Sequence, residues 1–191
     1  MFDEIIIGLG ALGAFLGALL IRKANDSGVM TTGQSIGSIS SGNQVQPLNS
    51  RLVQSTNWNS LVDDAKDLEV LARTIYGEAR SENRAGREAV AIVILNRKAS
   101  GRWKPSVKGV CLQAQQFSCW NVNDPNRAKA LAANAGNSAY MACINVAEAA
   151  LAGQLGSLNG ANHYHTDGVT PYWSNSMNQV ATIGAHKFFV G

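Results

Sequence analysis

One carboxylate, Glu78, lies in a pattern that would place it on the apolar face of a helix. The spacing of three and four residues that forms such a face links four apolar side chains, Leu68, Leu71, Ile75 and Ala79. Glu78 follows Ile75 by three residues and shares this face. A carboxylic acid that loses water keeps its proton to higher pH, as general-acid catalysis requires. A structural ion pair with a nearby arginine would fit the same pattern, so periodicity leaves both roles open.

A second group of polar and aromatic residues is concentrated between positions 113 and 120. Amides and hydroxyls bind the hydroxyl groups of sugars, and aromatic rings contact the apolar faces of sugars. The segment therefore predicts a carbohydrate-binding loop, with a plain polar turn over a buried phenylalanine as the alternative. Its members are Gln113, Gln115, Gln116, Phe117, Ser118 and Trp120.

Two histidines, His163 and His165, flank Tyr164. On a strand, alternation would turn both imidazoles to one face and Tyr164 to the other. Together with His186 they could bind zinc, as in a zinc-dependent amidase or endopeptidase. The chain has no HExxH motif, however, so the zinc enzyme is an alternative and not the leading hypothesis.

Helices are the elements that would position these residues. We expect a first helix from about residue 61 to 80, and a second from the cap Asn83 to 96 or 97. The second is apolar on nearly every side, which is typical of a helix at the centre of a domain. A third should begin at Asp124-Pro125, and a fourth should cover 138–152. The apolar stripe of the fourth is Tyr140, Ile144, Ala147 and Leu151. The remaining chain predicts loops and short strands.

The N-terminal region has a different composition from the rest of the chain. Residues 5–21 are uncharged and apolar, at the lower length limit of a membrane-spanning helix, with a cleaved signal peptide as the competing interpretation. Gly13 and Gly17 have the spacing of close helix–helix contacts in lipid, which would allow self-association. Residues 24–60 are polar and aperiodic. We therefore expect an anchor over 1–23, a flexible linker over 24–60 and a catalytic domain over 61–191.

Charge and cysteine content limit the possible partners. The net charge is +3, but residues 73–108 contain nine basic and three acidic residues, which indicates an anionic partner. Nucleic acid is one such partner, but no nucleic-acid-binding motif is present, so another anionic polymer is expected. The three cysteines allow at most one intramolecular disulfide, and three buried free thiols are the alternative; they are Cys111, Cys119 and Cys143.

Several motifs in order resemble the SleB/CwlJ-like cell-wall hydrolases, which include spore-cortex lytic enzymes and phage lytic enzymes. The blocks are residues 72–80, 86–97, 116–120, 160–165, 171–173 and 183–189. The resemblance implies a mostly helical, lysozyme-like α+β domain that cleaves peptidoglycan glycan strands without a metal or cofactor. It implies that Glu78 is the catalytic acid. It further implies substrate contacts by Tyr76, Gln116, Phe117, Ser118, His163, Tyr164 and Trp173.

The reaction type depends on whether a second carboxylate assists Glu78. The candidates are Glu82, Glu88, Glu148 and Asp167, and Asp167 is the best placed, beside the histidine block. None matches a nucleophile motif, so we expect a lytic transglycosylase that cuts the MurNAc–GlcNAc bond with one acid. The alternatives are a hydrolytic muramidase, a zinc-dependent amidase or endopeptidase that cleaves the stem peptide, and a non-catalytic wall-binding module. A membrane-anchored or virion-associated location, in a phage that invades or lyses its host, would accommodate the N-terminal helix.

Overall fold

The computed structural model describes residues 58–191, of which Lys66–Gly191 form one compact unit. Helices dominate and a small antiparallel sheet follows them, so the expected mostly helical α+β fold is confirmed. The helices are α1 (Trp58–Ala79), α2 (Arg84–Ala99), α3 (Val107–Leu112), α4 (Pro125–Ala132) and α5 (Ser138–Leu151). The strands are β1 (His163–Thr166), β2 (Asn178–Ile183) and β3 (His186–Val190). Short 3₁₀ turns cover Ser118–Trp120, Leu158–Gly160 and Tyr172–Ser176.

Side-chain caps define where the helices begin. Asn83 accepts a hydrogen bond from the Gly86 N–H at the start of α2, and Asp124 accepts one from the Asn126 N–H at the start of α4. Both predicted starts are therefore confirmed. The short helix α3, capped by Ser106, was not predicted, because six residues are too few to show a helical repeat.

Helix α2 supplies the centre of the core, as its composition predicted. Its residues 89–94 are all buried, and Ala89 and Val93 pack with Phe188 of the sheet. The predicted stripe of α5 is wrong at one position. Leu151 is 39% exposed because α5 ends there, and Ala149 and Ala150 bury that end of the helix instead.

The sheet has the order β1-β3-β2, with both pairs antiparallel. Tyr164 contacts the rings of His186 and Phe188, whereas His163 and His165 both contact Trp173. The predicted alternation along β1 is therefore confirmed. Tyr164 faces the side of the sheet that packs on α2, and the two histidines face the other side.

A buried ion pair ties α1 to α4. Arg73 donates to Glu69 Oε1 through Nε at 3.1 Å and Nη2 at 2.9 Å. Its Nη1 donates to the carbonyl oxygens of Ala130, Leu131 and Ala133 near the end of α4. Glu69 is completely buried. Arg73 thus neutralises a buried carboxylate and satisfies helix carbonyls that lack partners within α4.

The three cysteines are all buried free thiols, so the alternative with a disulfide does not hold. Burial raises the pKa of Cys111 to about 12 and that of Cys143 to about 11. Burial, followed by the charge of Glu78, also raises the pKa of Cys119. These thiols stay protonated near neutral pH and act as small apolar side chains.

The N-terminal predictions concern a region mostly beyond the described part of the chain. The predicted anchor over 5–21 and most of the linker lie outside it. The predicted linker ended at residue 60, but α1 already begins at Trp58, so its last three positions are helical. From residue 58 onward, no helix combines the length and hydropathy that crossing a membrane requires.

Candidate active site

The carboxylate of Glu78, in the last turn of α1, is held by three hydrogen-bond donors. Its Oε1 accepts from the backbone N–H of Cys119 at 3.1 Å and from the Ser118 hydroxyl at 3.4 Å. Its Oε2 accepts from the Tyr164 hydroxyl at 3.2 Å. Glu78 is only partly buried, so the carboxylate remains accessible. Two segments distant in sequence, the turn at 118–120 and strand β1, therefore orient both oxygens.

The alternative role of Glu78 in a structural ion pair does not hold, because the nearby arginines have other partners. Arg73 binds Glu69, and Arg84 Nε donates to Glu88 Oε1 at 2.7 Å. Arg80 Nη2 donates to Asn126 Oδ1 at 2.9 Å. The carboxylate is thus free of a permanent ion pair with these three neighbours.

A glycine lets the turn at 118–120 approach the helix that carries the acid. A Cβ atom at Gly77 would lie 2.4 Å from the Cβ of Cys119, which is closer than two non-bonded carbon atoms can approach. Trp120 anchors the same turn, since its Nε1 donates to the hydroxyl of Thr74 on α1 at 2.9 Å. Close packing at Gly77 therefore sets the distance between the Cys119 N–H and Glu78.

Tyr164 is a permanent donor to the acid. Burial raises the pKa of its hydroxyl well above the ordinary value, and the adjacent charge of Glu78 raises it further. The Tyr164 hydroxyl therefore stays protonated at physiological pH and donates its hydrogen bond to Glu78 Oε2. Its ring is held edge-on by His186, with ring centroids 5.3 Å apart.

The residues expected to contact substrate divide into an accessible set and a buried set. Ser118 is exposed, and Gln116 is partly exposed, with its Oε1 accepting from Trp103 Nε1 at 3.0 Å. Phe117 is only 2% exposed, and Tyr76 is buried with its hydroxyl bonded to Asn137. The last two side chains therefore support the site from within. The motifs could not separate the two sets, because a motif match does not reveal which way a side chain points.

His163 lies between two tryptophans. Its ring centroid is 5.9 Å from that of Trp103 and 5.4 Å from that of Trp173. Burial lowers its pKa, and the positive charges of Arg97 and Arg102 lower it further. The imidazole is therefore neutral near pH 7 and presents a polar edge within an aromatic cluster.

The three histidines do not converge on one point. His165 stacks on Phe189, on the opposite side of the sheet from His186, whose Nδ1 lies 3.9 Å from Glu82 Oε1. Across residues 58–191 no three or more His, Cys, Asp or Glu side chains are grouped as ligands for a metal ion. The arrangement that the zinc hypothesis needs is not formed by these residues.

Three of the four candidate second carboxylates, Glu82, Glu88 and Asp167, have partners that hold them elsewhere. Asp167 is 3.4 Å from Lys187 Nζ on the exposed sheet surface. Glu88 Oε1 accepts from Arg84 Nε, one turn away on α2. Glu82 Oε2 accepts from the Ala185 N–H at 3.4 Å and so ties the β2–β3 hairpin to the turn after α1. None of these contacts directs a carboxylate toward Glu78.

Two residues near the site, Arg97 and Trp103, were not predicted as functional. Arg97 is one of two adjacent cations, with Lys98, in the last turn of α2, and Trp103 lies in a loop without a repeat. Their link to the site depends on contacts across the fold, which periodicity does not reveal. The only signal in the sequence was a cation placed two residues after the apolar run 89–95.

Comparison with known proteins gives consistent results. The family model "Cell Wall Hydrolase" matches residues 81–189. The match begins after Glu78 and does not include it. The spore cortex-lytic enzyme of Halalkalibacterium halodurans is 32% identical over 129 residues, covering 64% of this chain and 34% of that protein. For the Bacillus subtilis enzyme the identity is 31%, over 64% of this chain and 37% of that protein. The chain thus spans little more than a third of the length of these two relatives.

Two solved structures have a similar fold. One is the catalytic domain of the germination-specific lytic transglycosylase SleB from Bacillus anthracis, with a TM-score of 0.54 and 27% identity. The alignment covers 65% of this chain and 94% of that one. The other is the catalytic domain of the Bacillus cereus SleB protein, with a TM-score of 0.51 and 25% identity, covering 65% and 90%.

Proposed function

Because the chain belongs to the Cell Wall Hydrolase family, we propose that it cleaves peptidoglycan glycan strands with Glu78 as the catalytic acid. The observation that carries this proposal is the accessible carboxylate of Glu78, oriented at both oxygens by Ser118, Cys119 and Tyr164. Fixed orientation of the acid is what proton transfer to a leaving group needs. The lytic transglycosylase activity in the description of the B. anthracis domain supports the same class of substrate.

The proposed reaction uses the Glu78 carboxyl twice at the MurNAc–GlcNAc bond. It first gives its proton to the glycosidic oxygen that leaves muramic acid. As a carboxylate, it then takes the proton of the 6-hydroxyl while that oxygen bonds to the anomeric carbon. The products are a 1,6-anhydro ring and a free hydroxyl, and no water is consumed. The separate partners of Glu82, Glu88 and Asp167 favour this single-acid route over hydrolysis.

The proposed glycan contacts are the accessible residues of the expected set, together with Trp103, which the sequence analysis did not include. Ser118 and Gln116 offer a hydroxyl and an amide, and the neutral His163 offers a ring nitrogen for sugar hydroxyls. Trp173 and Trp103 offer aromatic surface for the apolar faces of sugar rings. The Tyr164 hydroxyl acts on Glu78 instead. Phe117 and Tyr76 pack beneath the site.

Purified peptidoglycan digested with the protein, followed by mass spectrometry of the fragments, tests this function. We expect muropeptides that end in 1,6-anhydromuramic acid. Reducing muramic acid ends, heavier by one water, would indicate a hydrolytic muramidase with the same acid. Fragments cut at the amide bond would indicate a stem-peptide enzyme, and binding without cleavage would indicate a wall-binding module.

We also propose that residues 5–21 attach the protein to a membrane or a virion and that the following polar segment tethers the catalytic domain. The uncharged composition of 5–21 and the polar composition of 24–57 support this arrangement. A tether would let the domain reach an insoluble wall. A phage lytic enzyme, acting during invasion or lysis, would use such an arrangement.

A further inference from the structure

The guanidinium of Arg97, near the end of α2, contacts both of the segments that hold Glu78. Arg97 is 6% exposed. Its Nε donates to the carbonyl oxygen of Asn162 at 2.7 Å, and its Cζ lies 5.1 Å from the ring centroid of Phe117. Phe117 directly precedes Ser118 and Cys119, and Asn162 lies two residues before Tyr164. One side chain therefore spans the two sources of hydrogen bonds to the acid.

Within residues 58–191, no carboxylate in contact with Arg97 balances its charge. Its Nη1 is buried without a hydrogen-bond partner in the described structure. Burial lowers the pKa of Arg97, and electrostatic interaction with Tyr164, Cys111 and then Glu78 opposes that effect. A buried cation without a close counter-ion destabilises a fold, and an apolar side chain could fill the same space between aromatic rings. The guanidinium therefore calls for a role beyond packing.

We propose that Arg97 is a positioning residue of the reaction. Through Phe117, it fixes the turn at 118–120 against strand β1, and the positive charge of its guanidinium acts on Glu78. This inference rests on the proposed function. Arg97 holds the two donor segments at the separation that lets them meet both carboxylate oxygens. Its positive charge offsets the negative charge that Glu78 acquires when it gives up its proton. It touches neither substrate nor the reacting atoms.

The experiment compares two substitutions of Arg97 with a matched change at Arg102. Arg102 also lies over the Trp103 ring, at 5.0 Å, but it is exposed and does not contact Phe117 or Asn162. Full-length Arg97→Gln, Arg97→Lys and Arg102→Gln are assayed on soluble, uncrosslinked glycan strands. The values of kcat and KM are calculated per folded protein, with folding measured by circular dichroism.

We expect kcat to fall about 10- to 100-fold in Arg97→Gln with little change in KM, because a small misplacement of a catalytic group has effects of this size. Arg97→Lys keeps the charge but loses the planar stacking, so its kcat should lie between those of Arg97→Gln and the wild type. Arg102→Gln should keep the wild-type kcat. If Arg97→Gln does not fold, Arg97→Lys against Arg102→Lys provides the same comparison.

Three results would overturn the inference. They are a wild-type kcat in a folded Arg97 variant, an effect confined to KM, and an equal loss of kcat in the Arg97 and Arg102 variants. Glu78→Gln, measured in the same assay, separates this failure from that of the proposed function. If Glu78→Gln is inactive while the Arg97 variants keep their kcat, only the role of Arg97 is rejected. If Glu78→Gln is fully active, the proposed function itself is rejected.

Discussion

At the residue scale, the proposed chemistry requires a proton that Glu78 can give to a glycosidic oxygen. Gln at this position keeps the shape, and its single carbonyl oxygen could still accept from Ser118 and Cys119 while its Nε2 donates to the Tyr164 hydroxyl. It carries no acidic proton, however. Glu78→Gln should therefore lower the rate of peptidoglycan digestion by about 10²- to 10⁴-fold. Release of soluble muropeptides measures the rate, and circular dichroism checks the fold. Wild-type digestion by a folded variant would contradict the assignment.

The Tyr164 hydroxyl is the sole donor to Glu78 Oε2 in the described contacts. Tyr164→Phe removes this bond and keeps the ring packed on His186 and Phe188. A hydrogen bond to a carboxylate has a strength that corresponds to about a tenfold or greater loss of rate. Tyr172→Phe is the control, because Tyr172 is 91% exposed. Equal rates in the two variants would show that Tyr164 does not orient the acid.

The raised pKa of Tyr164 leads to a prediction about pH. A phenol whose pKa lies above its ordinary value is still protonated at a pH where a free tyrosine would ionise. Tyr164 therefore does not titrate within the working range, and loss of its proton should not cause the alkaline fall of activity. Profiles of rate against pH for the wild type and Tyr164→Phe should have the same shape. An alkaline limb present only in the wild type would contradict this.

Sequence analysis identified the residues of the site better than their orientations. Motifs in order singled out Glu78, Ser118 and Tyr164, and the structure brings these three together. The same motifs included Phe117, which is buried, because membership of a motif does not specify a side-chain direction. Arg97 escaped notice because its importance depends on contacts with Phe117 and Asn162, and contacts across the fold leave no periodic pattern.

At the scale of elements, the contact between α1 and the turn at 118–120 should be sensitive to one methyl group. Gly77→Ala places a Cβ against Cys119 and pushes the turn away from Glu78. We expect the free energy of unfolding to fall by about 1–3 kcal/mol and the rate of digestion to fall about tenfold or more. Gly156→Ala is the matched control, since a Cβ there meets open space. Unchanged activity in Gly77→Ala would show that the turn can shift without cost to the site.

The Arg73–Glu69 pair links α1 to the end of α4, so its loss should destabilise the fold. Arg73→Met leaves the carboxylate of Glu69 buried without its partner. We expect the free energy of unfolding, measured in urea, to fall by about 3–5 kcal/mol. The exposed pair of Arg84 and Glu88 has the same spacing of four residues, so Arg84→Met provides the comparison. That change should cost less than about 1 kcal/mol.

Local signals predicted the helices more accurately than the contacts between them. Asn83 and Asp124 cap within three residues of their own helices, so sequence alone locates those starts. The exposure of Leu151 depends on where α5 ends relative to its neighbours, and the pairing of β1 with β3 joins residues twenty or more positions apart. Such features are set by packing of the whole domain, and a window of sequence does not contain them.

At the scale of the whole molecule, the N-terminal region and the catalytic domain should be separable. Deleting residues 1–57 removes the predicted anchor and tether and leaves α1 intact from Trp58. The truncated protein should digest isolated peptidoglycan at the full-length rate, because every proposed site residue lies downstream. Only the full-length chain should sediment with lipid vesicles. A folded but inactive truncated protein would show that the N-terminal region is part of the active unit.

The three buried thiols can report local opening of the fold without an added probe. Cys111, Cys119 and Cys143 are hidden from solvent and held protonated, so an alkylating reagent should not react with them while the fold is closed. Cys119 lies beneath Glu78, whereas Cys143 lies on α5. The rate at which each sulfur is labelled would therefore time the opening of its own region, and the catalytic turn could be compared with the core in one experiment without adding a probe.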